Sequence, residues 1–77
     1  MPPKEATYGE KAVGLTFNPS GDEKVQKIKE LYAEIIDLMM SLPVVTGPSE
    51  RLRLIKIAIT EAQTAQMWAV KAATWKD

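Results

Sequence analysis

Two long segments compatible with α-helix, separated by one short break, constrain the fold of this chain more than any other feature of its sequence. The first spans about residues 21–42 and the second about residues 50–75. Pro43 ends the first segment, because proline lacks the N–H that a helix interior needs. The connection 44–49 is short, so the second helix should return antiparallel to the first, with Thr46 or Ser49 as its cap. The sequence therefore predicts an all-α, antiparallel two-helix hairpin.

The apolar residues of both segments recur at helical spacing. In the first segment, steps of three and four predict a seam made of Val25, Ile28, Tyr32, Ile35, Met39 and Leu42. The second segment has two apolar stripes, one of Leu52, Ile55, Ile59, Ala62, Gln66, Ala69 and Ala73 and another of Leu54, Ala58, Ala65, Trp68, Ala72 and Trp75. Two apolar faces on one helix indicate two packing partners, which we expect to be the first helix and a neighbouring copy of the chain.

The length of the chain, 77 residues, also favours self-association. Ordering about 60 residues costs on the order of 90 kcal/mol at ~1.5 kcal/mol each, and offsetting that cost takes roughly 3,600 Å² of apolar burial. A hairpin of two helices cannot supply this area, because each helix turns one stripe toward its partner. Yet 45% of the residues are apolar, as in an ordinary folded protein. We therefore expect a homo-oligomeric helical bundle.

Composition excludes several classes of function. The chain has no Cys and no His, which excludes a disulfide framework, a zinc finger, a thiol nucleophile and a Ser-His-Asp triad. Ten Lys and Arg balance ten Asp and Glu, which argues against binding a nucleic acid polymer or an anionic membrane. No run reaches the ~18 apolar residues of a membrane span, and the start lacks the apolar core of a signal peptide. We expect a cytoplasmic protein that is not an enzyme and carries no cofactor or metal.

The first 20 residues form a separate segment, which we interpret as an arm and turn (1–20) preceding the hairpin (21–77). Proline and glycine recur throughout it, so no long helix fits there. Val13, Leu15 and Phe17 alternate with more polar positions, and this period of two predicts a short extended arm. Ser20, followed three residues later by Glu23, fits a capping box at the start of the first helix.

The junction between arm and helix is a candidate anion site. Helix starts present unpaired N–H groups and a partial positive charge, which suit a phosphate. Gly21 would let a ligand approach the backbone, while Asn18 and Ser20 add short polar side chains. An ordinary helix cap is the simpler interpretation of the same residues.

Other charged residues leave two interpretations open. Lys11 and Lys29 belong to a group of lysines in the first 29 residues, with Tyr8 among them as a candidate for stacking on a base. Arg51 and Arg53 open the second helix, where positive charge opposes the helix dipole. These features suit a small anionic ligand, although a solvated surface explains the lysines equally well. The carboxylates Glu30, Glu34 and Asp37 share a helix face, for which a solvated face is favoured over a cation site.

Two stretches of the sequence carry distinctive motifs. One is residues 9–21, Gly-Glu-Lys-Ala-Val-Gly-Leu-Thr-Phe-Asn-Pro-Ser-Gly, followed by Val25, Ile28-Lys29 and Ile36-Asp37. The other is residues 65–74, which contain Met-Trp-Ala-Val-Lys-Ala. With these motifs the chain resembles, over about residues 8–75, the helical-hairpin family of phage cyclic-nucleotide sponges.

This resemblance implies binding without catalysis. Members of the family trap cyclic nucleotides between subunits of a homo-oligomer, commonly a hexamer, and so block CBASS or Thoeris anti-phage signalling. The implied partners are cyclic di- or trinucleotides, or cyclic ADP-ribose isomers, and other copies of the chain. The candidate ligand-binding residues are Tyr8, Lys11, Phe17, Asn18, Ser20, Gly21, Lys29, Arg51 and Arg53. The alternative from the residues alone is a structural or regulatory helical oligomer, such as a phage assembly or antitoxin-like protein, with no small-molecule ligand.

Overall fold

The computed structural model of the chain describes residues 5–44, 47 and 49–77, and this part of the chain contains helices and no strands. Three helices follow in order: α1 (Tyr8–Val13), α2 (Glu23–Met40) and α3 (Glu50–Thr74). The helices α2 and α3 are the two predicted long helices. Ser49 caps α3 and accepts a hydrogen bond from the Leu52 N–H at 3.4 Å. Thr46, the other predicted cap, lies outside the described residues.

The two long helices run antiparallel, as predicted. Val25 near the start of α2 lies beside Val70 and Thr74 at the end of α3. At the opposite end, the Arg51 guanidinium of α3 donates to the Pro43 carbonyl just beyond α2, at 3.0 Å. Between these ends lies a small core of buried side chains: Val13, Ala33, Ile36, Ile55 and Ile59. Half-buried apolar side chains surround it, so each long helix contributes one face to a shared core.

The predicted extended arm is wrong, because a short helix occupies this part of the chain. Helix α1 begins with a capping box, in which the Thr7 hydroxyl accepts from the Glu10 N–H at 3.1 Å and the Glu10 carboxylate accepts from the Thr7 N–H at 2.8 Å. It ends at Gly14, whose φ of 63° is the left-handed conformation that glycine adopts at low cost. Val13 therefore belongs to α1, whereas Leu15 and Phe17 follow the end of this helix, and the three residues do not form one extended stretch. Val13 is buried, while Phe17 is exposed.

Helix α1 is fixed to α2 by one carboxylate and one close backbone approach. Asp37 of α2 accepts from the Thr7 hydroxyl and from the Gly9 N–H, both at 2.7 Å. A Cβ at position 9 would lie 2.2 Å from the Ala33 carbonyl oxygen, so this contact requires glycine. Residues 7–9 are thus anchored to α2 before the chain turns into that helix.

Two details of α2 differ from the sequence prediction. The helix starts at Glu23 rather than Gly21, and its N-cap is Asp22, whose carboxylate accepts from the Lys24 N–H at 2.7 Å and the Val25 N–H at 3.3 Å. The buried residues of α2 are Val25, Lys29, Ala33 and Ile36, so Val25 of the predicted seam is buried, and Tyr32 and Met39 are half-buried against the core. The seam position Ile35 is exposed, because the face of α2 that packs in the core is the one that carries Ala33 and Ile36.

The first predicted stripe of α3 faces the core, and the second faces outward. Ile55, Ile59 and Gln66 of the first stripe are buried. Leu54, Trp68 and Trp75 of the second stripe are exposed, both tryptophans by about two thirds of their surface. The two-faced character inferred for this helix is therefore present in the fold.

The molecule is a thin plate that leaves much apolar surface uncovered. It measures 47 × 40 × 12 Å along its principal axes, whereas two stacked layers of helices would need about 13–15 Å between outermost Cα atoms. Large apolar side chains accordingly remain exposed within the described residues, among them Leu31, Ile35, Leu38, Met40, Leu54, Ile57, Met67, Trp68 and Trp75. None of the described helices has the length and hydropathy needed to cross a bilayer.

Candidate functional site: a lysine-lined groove beside helix α3

A groove of about 790 Å³ runs between the N-terminal part of the chain and the second half of α3. One wall comes from α1, the following turn and α2, and includes Lys11, Gly14, Phe17 and Lys29. The other wall comes from α3 and includes Thr60, Gln63, Thr64, Gln66, Met67 and Val70. A smaller pocket of about 240 Å³ shares Phe17, Lys29 and Val70 with it and adds Asn18, Pro19 and Ser20. We call the two together the groove.

The groove is electrically positive although the chain as a whole is neutral. Lys11 and Lys29 line it, and no carboxylate does so among the described residues. Two neighbouring hollows are more acidic. Glu5 and Glu10 outnumber Lys11 in the first, and the second is lined by carboxylates without a lysine: Glu10, Glu30, Glu34 and Asp37. An anion would therefore be attracted to the groove and repelled by its neighbours.

Lys29 is a buried cation with fixed partners. Its side chain retains 6% of its exposure, and its ammonium group donates to the Gly14 carbonyl at 3.1 Å and to the Phe17 carbonyl. The same nitrogen lies 5.7 Å from the centre of the Phe17 ring. An ammonium group has three N–H donors, so one remains for a ligand after both carbonyls are bonded. Lys29 thus holds the turn 14–17 and brings positive charge to the groove.

The turn before α2 is held by its own hydrogen bonds. The Ser20 hydroxyl donates to the Asn18 side chain at 2.7 Å and accepts from the Asp22 N–H at 3.2 Å. The Asn18 amide also donates to the Asp22 carbonyl at 3.1 Å. Gly21 has a φ of 65°, and no heavy atom lies within 4 Å of the position that a Cβ would take there. Because the Asp22 carboxylate occupies the first free N–H groups of α2, the geometry corresponds to an ordinary helix cap rather than an empty phosphate site.

Four of the predicted site residues do not line the groove: Gly21 of the turn described above, and Tyr8, Arg51 and Arg53. Tyr8 is half exposed at the first position of α1 and is not among the residues that line the groove. Arg51 and Arg53 lie in the first turn of α3, and Arg53 is about 15 Å along the helix axis from Gln63. Arg53 forms an ion pair with Glu50, and this guanidinium lowers the pKa of the Glu50 carboxyl below its usual value. The arginines therefore form a separate basic region at the other end of the hairpin.

Sequence reasoning missed the polar wall that α3 contributes. Gln63 and Thr64 are half-buried, Thr60 is exposed and Gln66 is buried, with 5% of its exposure left. The Thr60 and Thr64 hydroxyls donate to carbonyls one turn earlier, at 3.0 and 3.1 Å, and keep lone pairs for a ligand. The signal was present in the sequence, because Gln66 is the polar member of an otherwise apolar stripe.

The carboxylates on α2 do not form a metal centre in the described part of the chain, where no group of three or more potential ligands is close enough to hold an ion. Asp37 instead bonds to α1, as described above. The groove therefore combines lysine side chains with apolar, amide and hydroxyl groups, a combination suited to binding an anionic ligand.

Comparison with known proteins agrees with this architecture. A family model described as Acb2/Tad1, hairpin domain, matches residues 10–74, which include all of α2 and α3 and both walls of the groove. Comparison with curated proteins and with solved structures gives no match. Since the family match covers most of the chain, the protein belongs to the Acb2/Tad1 hairpin family, the phage cyclic-nucleotide sponges.

Proposed function

We propose that this chain binds cyclic nucleotide immune signals in the groove and withholds them from a host effector without cleaving them. The ligands are cyclic di- or trinucleotides or cyclic ADP-ribose isomers. The observation that carries the proposal is the charge of the groove: two lysines line it with no opposing carboxylate among the described residues, in a chain of zero net charge.

The groove offers the contacts that such a ligand needs. Each phosphate carries a negative charge, which Lys11 and the remaining donor of Lys29 can neutralise. Each base has a flat face, and the Phe17 ring, 71% exposed at the edge of the groove, is available for stacking. Catalysis is not part of the proposal, because the chain has no His or Cys to act as base or nucleophile.

We further propose that the functional unit is a homo-oligomer, a hexamer by resemblance to the family. The outward stripe of α3 supports this, because Leu54, Trp68 and Trp75 form an apolar surface of the kind that helices bury against one another. The Lys71 ammonium group lies 5.4 Å from the Trp68 ring and 6.0 Å from the Trp75 ring, which orders this surface. A neighbouring copy would also close a groove that is open in the single chain.

Tyr8, Arg51 and Arg53 remain candidates for a second ligand site. They lie outside the groove, but all three are exposed and each offers a chemistry that suits a nucleotide, a ring for a base or a planar fork for a phosphate. In an oligomer, Arg51 and Arg53 could meet their counterparts near a symmetry axis. Substituting either arginine with alanine should then weaken one class of ligand and leave the groove ligand unchanged.

Calorimetry with purified variants tests the groove assignment. Lys11→Ala and Phe17→Ala should each weaken binding of the preferred cyclic nucleotide roughly ten- to hundredfold, the cost of about 1.5–3 kcal/mol for one charged or stacking contact. Lys56→Ala is the matched control, because Lys56 is an exposed lysine of α3 that does not line the groove. Equal affinities for all three variants and the parent would show that the ligand binds elsewhere.

The same titrations distinguish a sponge from the alternative function. A structural or regulatory oligomer would give no binding heat with any cyclic dinucleotide, trinucleotide or cyclic ADP-ribose isomer. A hydrolase would bind the ligand but return a linear product on chromatography. The proposal requires binding, followed by recovery of the unchanged ring after the protein is denatured.

A further inference from the structure

Gln66 is the one buried polar side chain in the described residues, besides Lys29, and its surroundings leave its amide without a partner. The side chain keeps 5% of its exposure, and no hydrogen bond joins it to any group in residues 5–44, 47 or 49–77. An amide that is nearly buried and makes no hydrogen bond within the protein has only water as a partner, and losing that water without a replacement bond costs about 1–3 kcal/mol. A side chain placed in this way is therefore expected to have a bonding partner that the single chain does not supply.

The amide of Gln66 reaches the surface of the groove. Within the described residues, every side-chain nitrogen or oxygen that is wholly inaccessible has a hydrogen-bond partner. Because the Gln66 amide has none, both of its polar atoms must retain accessible surface. Gln66 lines the groove, so its amide nitrogen and oxygen open into it while the rest of the side chain packs in the apolar stripe.

We propose that Gln66 is the residue that reads the hydrogen-bonding edge of a nucleotide base in the groove. A carboxamide presents one donor and one acceptor side by side, which matches a base edge that carries an adjacent acceptor and donor. Adenine offers this pair through N1 and the 6-amino group, and guanine offers it through O6 and N1–H. The order of donor and acceptor is reversed between the two bases, so the amide group pairs with either base once it rotates by half a turn. This inference rests on the proposed function, and it identifies how the same groove recognises its ligand.

The assignment predicts a change of specificity when the amide becomes a carboxylate. In Gln66→Glu the side chain accepts hydrogen bonds only. Guanine presents two donors together, N1–H and the 2-amino group, and can pair with both carboxylate oxygens. Adenine presents one donor and leaves N1 facing a lone pair. The ratio of affinities for cyclic di-GMP and cyclic di-AMP should therefore shift toward guanine, by roughly 5- to 150-fold for one bidentate pair.

Gln63→Glu is the matched control, because Gln63 lies on the same wall of the groove and the substitution adds the same charge. Both glutamate variants should weaken binding of every ligand, since the added charge repels phosphate. Only Gln66→Glu should change the ratio between the two cyclic dinucleotides. Calorimetric titration of the parent and both variants with the two ligands measures these ratios directly.

A second variant keeps the test decisive if Gln66→Glu does not fold. Gln66→Met preserves the length of the side chain and suits the apolar stripe, so thermal unfolding should match the parent or exceed it. This variant should lose roughly 5- to 150-fold in affinity for both cyclic dinucleotides, while Lys56→Met, at an exposed position of α3 that does not line the groove, should not. If Gln66→Met binds both ligands like the parent, or if both glutamate variants leave the ratio unchanged, the inference is wrong although the groove still binds nucleotides. If the parent itself binds neither ligand nor any other cyclic nucleotide, the proposed function is what fails.

Discussion

Replacing Asp37 with alanine should release α1 from α2. The Asp37 carboxylate accepts two hydrogen bonds, from the Thr7 hydroxyl and the Gly9 N–H, and both are short at 2.7 Å. Hydrogen bonds to a charged group contribute about 1.5–3 kcal/mol each, and the lower figure applies because the site is half-exposed. The two bonds therefore contribute about 3 kcal/mol.

One opposing effect reduces this figure. Asp37 lies in the last turn of α2, where the helix dipole disfavours a negative charge. Removing this charge therefore raises the free energy of unfolding by about 0.5 kcal/mol. The expected net loss is about 2.5 kcal/mol. For a chain of this size, a loss of 1 kcal/mol lowers the melting temperature by roughly 4–8 °C. Asp37→Ala should therefore melt about 10–20 °C below the parent.

Glu34→Ala is the control for this substitution. Glu34 is exposed one turn earlier on α2 and makes no hydrogen bond within the described residues, so its removal should change the melting temperature by a few degrees at most. Thermal unfolding followed by circular dichroism measures the difference. Hydrogen exchange should also show faster exchange of the Gly9 amide in Asp37→Ala. Equal melting curves for the two variants, with the Gly9 amide still protected, would refute the claim that this carboxylate anchors α1.

Three further predictions concern positions with a defined contact. Gly9→Ala should destabilise the chain by about 1–3 kcal/mol in denaturant unfolding, because its Cβ would lie 2.2 Å from the Ala33 carbonyl oxygen. An unchanged midpoint would mean that α1 can shift freely. Lys29→Met should speed hydrogen exchange of the Leu15 and Phe17 amides, since the ammonium no longer holds the turn, whereas Lys27→Met at an exposed position should not. Trp68→Glu should yield a smaller species in light scattering than Lys56→Glu, and equal masses would exclude the outward stripe of α3 from the assembly interface.

The long helices followed from the sequence because their signals are local. Pro43 and the short connection 44–49 define the hairpin, and the stripe containing Ile55 and Ile59 is buried as predicted. Helix α1 was missed although Thr7 and Glu10 have the spacing of a capping box. A six-residue helix that contains Gly9 and ends at Gly14 is not stable by itself, and it forms here because Asp37, far along the chain, bonds to its first turn.

The groove was harder to predict than the helices that form it. Lys11, Phe17, Asn18, Ser20 and Lys29 were selected from the sequence, and the structure brings them to the same groove. Their partners on α3 were not selected, because the register of α3 against the turn 14–17 depends on tertiary packing. The burial of Lys29 could not be predicted from the sequence either, because a lysine among charged neighbours usually indicates a solvated face.

The most direct test of the central claim is a release experiment. The purified protein is mixed with a slight deficit of a cyclic nucleotide, the mixture is passed through a filter that retains the protein, and the free ligand is quantified. The retained fraction is then heated and its small molecules are separated by chromatography. The proposed function predicts depletion of the free ligand and recovery of the intact cyclic compound after heating. Free ligand at its starting concentration with every cyclic nucleotide tried, or recovery of a linear product, would contradict it.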